Sequence, residues 1–227
     1  MALNVSDSVF VSAYNGDFEG LKLKLIQDNS LLTQTDDNQR MLIHWAALGG
    51  HEDIVIYLLD NKSPIDPLDD MKMTPLILAA SGGREKVVRT LISRGAQLNA
   101  KNEGGHSALQ YAASKGWTEI VEMLLANHAD INIVDQRGAT PLHRAASKGN
   151  TAIVKLLLEY SNQLNINARD AYGNTPLHLA CEENRVEEAK LLVIQGAKVD
   201  ITNREGQTPL DIAPQSLAKQ LLSLTEQ

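Results

Sequence analysis

The sequence predicts an all-α solenoid of seven helix-turn-helix units with a concave binding face. Three observations carry this prediction. One period near 33 residues runs along almost the whole chain, each period holds two stretches of apolar residues at helical spacing, and aromatic residues make up only 4% of the composition. A core of Leu, Ile, Val and Ala suits closely packed helices better than a β-sandwich.

The period shows when MLIHWAA (41–47), TPLILAA (74–80), SALQYAA (107–113), TPLHRAA (140–146), TPLHLAC (175–181) and TPLDIAP (208–214) are written in register. Their starts lie 33, 33, 33, 35 and 33 residues apart. A T-P-L-H-x-A box at this period resembles the ankyrin repeat, so the fold class becomes an ankyrin-repeat solenoid. The second half of each unit reads IVIYLLDNKSPID, VVRTLISRGAQLN, IVEMLLANHADIN, IVKLLLEYSNQLNIN and EAKLLVIQGAKVD. Ile120, Val121, Leu124 and Leu125 there have the spacing of one helical face. Upstream, VSAYNGDFEGLKLKL (11–25) keeps the skeleton without the box and reads as a polar-faced cap. A single domain over 1–227 then comprises an N-terminal capping repeat (1–36), central repeats (37–69, 70–102, 103–135, 136–170 and 171–203) and a clipped C-terminal capping repeat (204–227).

Each box residue has a physical task. Thr140 caps the first helix through its hydroxyl, worth about 1 kcal/mol. Pro141 takes the first helical position, where its missing N–H costs nothing. Leu142, Ala145 and Ala146 face the neighbouring repeat, the alanines allowing close approach. The box histidine is the obvious candidate for chemistry. Its slot, however, holds His44, Ile77, Gln110, His143, His178 and Asp211 in turn. A catalytic or metal position would not tolerate Ile and Gln, so the slot is scaffold. Gly50, Gly83, Gly116 and Gly149 share a slot between the helices and permit its tight turn. Gly95 and Gly196 are placed for left-handed caps after the second helix. Lys62 and His128 fill that slot elsewhere, which predicts strained or rearranged ends. The one break in the period, two extra residues around Ser161 to Leu164, lengthens a helix end or its loop.

Composition narrows the function. A net charge of −7 argues against a general nucleic-acid binder and favours partners with basic patches during encounter. Cys181 is the only cysteine, so no internal disulfide forms and a reducing compartment is expected. The N-terminus shows no secretory pattern, and no apolar run approaches the roughly 20 residues of a membrane span. The Asn-x-Ser matches at Asn4 and Asn61 are then chance, and a cytoplasmic and nuclear monomer is expected. No Gly-rich phosphate loop, paired cysteines, His-Glu-x-x-His or Ser/His/Asp set stands outside the repeats. Catalytic residues, cofactors and metal ligands are therefore not expected, and the chain reads as a non-enzyme. Leu179, Cys181 and Glu183 match Leu-x-Cys-x-Glu, the peptide motif read by retinoblastoma-type pocket proteins. They also lie in the ordinary packing segment of a first helix, so binding there would need that helix to unfold.

The remaining candidate is the concave face of turn tips and first helices. The slot after the box histidine and the position four later give the pairs Trp45/Gly49, Leu78/Gly82, Tyr111/Lys115, Arg144/Lys148 and Leu179/Glu183. This row begins apolar and aromatic, turns basic and ends acidic. Turn tips add Asp36, Asp37 and Arg40, then Asp69, Asp70 and Met73, then Asp135 and Arg137. A graded face containing Trp45 and Tyr111 reads as a protein-binding surface, with Trp45, Tyr111, Arg144 and Lys148 as contacts from geometry.

The stretches LIHWAALGGHEDIVIYLL, LILAASGGREKVVRTLISRGAQLNA, YAASKGWTEIVEMLL, HRAASKGN and GNTPLHLACEENRVEEAKLLVIQGA resemble the gankyrin family, seven-repeat ankyrin subunits of the proteasome regulatory particle. ACEENRVEEAKLLV is more particular than a repeat consensus. The resemblance implies an assembly chaperone that binds the C-terminal domain of an ATPase subunit of the regulatory-particle base along the concave face. Occupancy would hinder premature docking of the base on the core particle. It also implies that Arg40 and Lys115 pair with acidic residues of the ATPase. Gln39, Met41 and Met73 at turn tips and the insertion near Ser161 depart from the family. A rival reading is an ankyrin-type regulator of cyclin-dependent kinases or retinoblastoma-type pocket proteins.

Overall fold

The computed structural model describes residues 5–225, all of whose regular elements are helical. They group into two compact units, Met1–Ala108 and Leu109–Gln227. The first unit holds α1 (Val5–Asn15), α2 (Phe18–Gln27), a 3₁₀ turn (Asn29–Leu32), α3 (Leu42–Gly49), α4 (Glu52–Asp60), α5 (Pro75–Ser81) and α6 (Glu85–Ser93). Here α1, α3 and α5 pack in a row, and α4 packs on α6. The second unit takes in α7 (Ala108–Lys115, beginning at the unit boundary), α8 (Thr118–Ala126), α9 (Pro141–Lys148), α10 (Thr151–Glu159), α11 (Pro176–Glu182), α12 (Val186–Ile194), α13 (Pro209–Ile212) and α14 (Gln215–Thr225). Its first helices α9, α11 and α13 form one row, and α8, α10, α12 and α14 form another.

The boxes do the work assigned to them. Thr74 Oγ1 accepts from the Ile77 N–H at 3.2 Å, and Thr140 Oγ1 from the His143 N–H at 3.4 Å, with Pro75 and Pro141 opening their helices. Ala46, Ala80, Ala113 and Ala146 are fully buried, as are Leu42, Leu76 and Leu142. The box histidines are buried too, and their rings join repeats. In His44, His143 and His178, Nδ1 accepts the N–H of Met41, Thr140 or Thr175 at 3.0, 3.1 and 3.0 Å. That leaves the proton on Nε2. His143 donates it to the Asn174 carbonyl (3.0 Å) and His178 to that of Gln207 (3.1 Å). His44 shares its own between the carbonyls of Pro67 and Met73, both at 3.1 Å. Gln110 performs the same task with its amide, which donates to the Ala139 carbonyl at 2.6 Å. Asp211, in the last repeat, turns back to accept from Thr208 instead. The scaffold reading of this slot is therefore correct. Burial holds all three histidines below their usual pKa, because the charged ring would lose its water.

The expected strain is present without rearrangement. Lys62 (φ 73°) and His128 (φ 68°) adopt the same left-handed turn as Gly95 (φ 87°) and Gly196 (φ 88°). The two extra residues do not lengthen a helix. α10 has nine residues, as do α4, α6, α8 and α12, and the surplus forms a turn closed by the N–H groups of Gln163 and Leu164 on the Tyr160 carbonyl. Beyond it, Asn132 Oδ1 accepts the Asn165 N–H at 2.8 Å. Asn167 accepts the Lys198 N–H at 2.9 Å in the same way one repeat later, so register is restored. One expectation is corrected. The N-terminal cap is not polar on its outer side, since Leu23 and Ile26 of α2 are 61% and 68% exposed.

Candidate functional site

Counted from its turn, which opens one residue ahead of the bounds read from the sequence, each repeat begins with a tight turn built on an Asp or Asn. The side chain accepts the N–H groups two and four residues on, as Asp69 does from Met71 (3.0 Å) and Met73 (2.7 Å). Asp36, Asp135, Asp170 and Asn203 repeat the pattern. Consecutive turns are tied edge to edge, Asp70 N–H to the Asn38 carbonyl and Arg204 N–H to the Tyr172 carbonyl among them. This places the turn tips in a rigid series within each unit. The carboxylate oxygen not used by the turn is left to hold a side chain of the surface.

In the first unit that use builds an aromatic and cationic cluster. Asp36 Oδ2 accepts from the Trp45 indole N–H at 2.9 Å. The Arg40 guanidinium lies 5.0 Å over the Trp45 ring and donates through Nε to Asp69 Oδ2 at 2.9 Å. Tyr14 meets the indole edge-to-face, with ring centroids 5.9 Å apart. Arg40 and Trp45 are half-buried and Tyr14 is 43% exposed, so the cluster is accessible yet fixed. Asp70 is exposed. Asp69 and Met73 are not surface contacts, because they are 3% and 8% exposed. Asp69 positions Arg40, and Met73 Sδ accepts from Asn102 Nδ2 at 3.4 Å.

In the second unit the equivalent oxygen, Asp135 Oδ2, holds Arg144 of its own repeat. Burial alone would raise the Asp135 pKa, but hydrogen bonds from Arg144 and from the N–H groups of Ala139 and Arg137 outweigh it and hold it below the usual value. Tyr111 is half-buried on α7, while Lys115 and Lys148, at the ends of α7 and α9, are exposed. Of the pocket-protein motif, Leu179 is half-buried and Glu183 exposed, but Cys181 is fully buried inside α11. Its thiol is pushed up to about 12 by burial, which makes it inert as a nucleophile at neutral pH. Further along, a groove of about 400 Å³ runs between Tyr172, Glu182, Arg204 and Asp211.

Sequence reasoning passed over Tyr14, Met71, Trp117 and Tyr172, which are 43%, 50%, 39% and 58% exposed. A signal for two of them was available: Met71 and Tyr172 stand two residues after the turn Asp or Asn, where Arg137 and Glu205 are also exposed.

Family models for ankyrin repeats match residues 9–102 and 99–170 (three copies) and 157–213 (many copies). The chain belongs to the ankyrin-repeat family. Among solved ankyrin-repeat structures it is similar to the human ASB11 ankyrin repeat domain, at 29% identity and TM-score 0.86 over 95% of this chain and 96% of that one. It is also similar to the ankyrin repeat domain of Bcl-3, a member of the IkappaB protein family, at 26% identity and TM-score 0.83 over 95% and 97%. Among curated relatives it is similar to the 26S proteasome non-ATPase regulatory subunit 10 of Rattus norvegicus (48% identity) and of Homo sapiens (47%), in each case over 43 residues. That match spans 19% of this chain and 19% of each relative. Ankyrin-repeat proteins act as protein-interaction scaffolds, and the accessible turn tips described above are consistent with that role. Among the described residues no helix is long and apolar enough to cross a membrane.

Proposed function

We propose that this ankyrin-repeat protein is a non-catalytic assembly chaperone for the base of the proteasome regulatory particle. It binds the C-terminal domain of one ATPase subunit through the turn tips and first helices of its repeats, in the cytoplasm and nucleus, as a monomer. The observation that carries the reading is Arg40, seated on Trp45 and braced by the buried Asp69, so that its guanidinium is offered in one orientation to a partner carboxylate. Lys115 supplies a second cation, exposed and unbraced by any acid among the described residues. Asp70, Tyr111, Arg144 and Lys148 complete the contact set. The segment similar to subunit 10 of the 26S proteasome supports this choice of partner. The mechanism is reversible steric masking, with no covalent step.

The alternative, a regulator of cyclin-dependent kinases or pocket proteins, gains nothing from Leu179, Cys181 and Glu183. An extended groove could read Cys181 only if α11 opened. The test is pulldown of purified ATPase C-terminal domains by the wild type and by Arg40→Glu combined with Lys115→Glu. Loss of capture by a double variant with an unchanged unfolding midpoint supports the site. Undiminished capture discards it.

A further inference from the structure

The turn between the two helices of a repeat has a second fixed slot, the residue just before the second helix: His51, Arg84, Trp117, Asn150 and Arg185. Four of these five do one job. His51 Nε2 donates to the Tyr14 carbonyl (2.7 Å), Arg84 Nε to that of Leu48 (2.9 Å) and Arg185 Nε to that of Ser147 (3.1 Å). Asn150 Nδ2 donates to Ala113 at 2.6 Å and Ser114 at 3.2 Å. Each ties the turn to the end of the preceding first helix. Trp117 makes no such bond among the described residues and stands 39% exposed, an indole in a position that elsewhere holds a polar brace.

Exposed lysines stand on its own repeat and the next, with an exposed acid, Glu119, two residues on. Lys115, two residues earlier, ends α7 and is exposed, and Lys148 occupies the same slot at the end of α9. The bonds from Gln110 to Ala139 and from Asn150 to Ala113 hold these two repeats together. Arg144, between them in sequence, is neutralised by Asp135, and the nearest acid on α8 is Glu119. A large amphipathic ring with an unspent N–H beside exposed lysines is the composition of an interface anchor: the ring excludes water from an apolar side chain while the cations select the sign of the partner.

We infer that Trp117, with Lys115 and Lys148, anchors an acidic polypeptide segment of the partner, the ring covering an apolar residue that lies beside a carboxylate. This inference rests on the reading of the chain as a partner-binding protein and adds a contact residue to it. The test compares wild type, Trp117→Phe and Trp117→Asn for affinity toward the purified ATPase C-terminal domain, with unfolding midpoints measured in parallel. Asn is the informative replacement, because Asn150 shows that it fits the slot and braces the turn without adding charge.

Trp117→Asn is expected to weaken binding by about thirtyfold, the scale of an aromatic hot spot, with an unchanged or raised unfolding midpoint. Trp117→Phe, which keeps the ring area, loses less. Affinity equal to wild type in Trp117→Asn overturns the anchor. If Arg40→Glu with Lys115→Glu still abolishes that binding, the assembly reading survives the loss. Absence of binding by the wild type itself overturns both.

Discussion

Arg40 and Arg144 are each held by the aspartate of a turn, yet they are held differently. In the first unit the clamp crosses repeats: Asp36 takes its own repeat's Trp45, and Arg40 must reach the next turn, to Asp69. Asp69 is free to receive it because the residue nine positions on is Leu78, which has nothing to donate. In the second unit the residue nine positions after Asp135 is Arg144 itself, and the clamp closes within one repeat. The two cations stand in different slots, four residues after Asp36 and nine after Asp135, and that placement sets whether a cation ties two repeats or one. The inter-repeat version also stacks the guanidinium on an indole, which fixes its plane, while the intra-repeat version leaves the lysines beside it as the accessible charge.

The largest effect that would sharpen this contrast comes from Asp69→Ala. It strands the N–H groups of Met71 and Met73 and releases Arg40, and it should lower unfolding free energy by about 3 kcal/mol in urea titrations. Asp170→Ala removes a turn acceptor of the same kind with no arginine attached, and should cost less, about 1–2 kcal/mol. Equal losses would show that the cross-repeat clamp adds nothing.

Acidification comes next. Folded-state pKa values of His44, His143 and His178 lie below those of the unfolded chain, so between the two values the unfolded state binds more protons. The stability they contribute is complete above about pH 6.5 and is lost as pH falls through the folded values. Protonation also places a hydrogen on Nδ1, which now accepts from a backbone N–H. His143→Gln should keep the inter-repeat bond, as Gln110 does, and flatten the fall in unfolding midpoint between pH 7 and pH 5. An unaltered pH profile would remove His143 from the account.

A smaller term is the stacking of Arg40 on Trp45. A double-mutant cycle with Arg40→Leu and Trp45→Leu should return a coupling of about 1 kcal/mol, and zero coupling would leave Asp69 alone as the orienting group. Smallest is the backbone: Lys62→Gly and His128→Gly should each stabilise by about 0.5–1 kcal/mol, since both side chains now sit at positive φ. A loss on either substitution would mean that the side chain packs better than the strain costs.

The repeat architecture was legible because a period of 33 exposes the role of every slot by comparison among its copies. Ile77 and Gln110 identified the histidine slot as scaffold before any distance was known, and Gly95 against Lys62 located the strain. The surface was less legible for the same reason. Which oxygen of Asp69 faces Arg40, and that Met73 turns inward, depend on how one turn leans on the next, and no pattern within a single repeat records that. Trp117 stands in a slot whose residues differ in type, and only the shared hydrogen bond of His51, Arg84, Asn150 and Arg185 shows that the slot has a rule to break. The cap differs from its reading as polar-faced: Leu23 and Ile26 of α2 lie open, and the skeleton shared with the other repeats carries no mark of that exposure.

The turn from Tyr160 to Leu164 absorbs two additional residues while α10 keeps the nine residues of the other second helices and Asn132 keeps its grip on Asn165. Such a site behaves as an expansion joint. Ser161, Asn162 and Gln163 are exposed, so a reporter peptide or epitope grafted between them should leave every neighbouring helix pair in place, and loop-closure entropy would grow only slowly with its length.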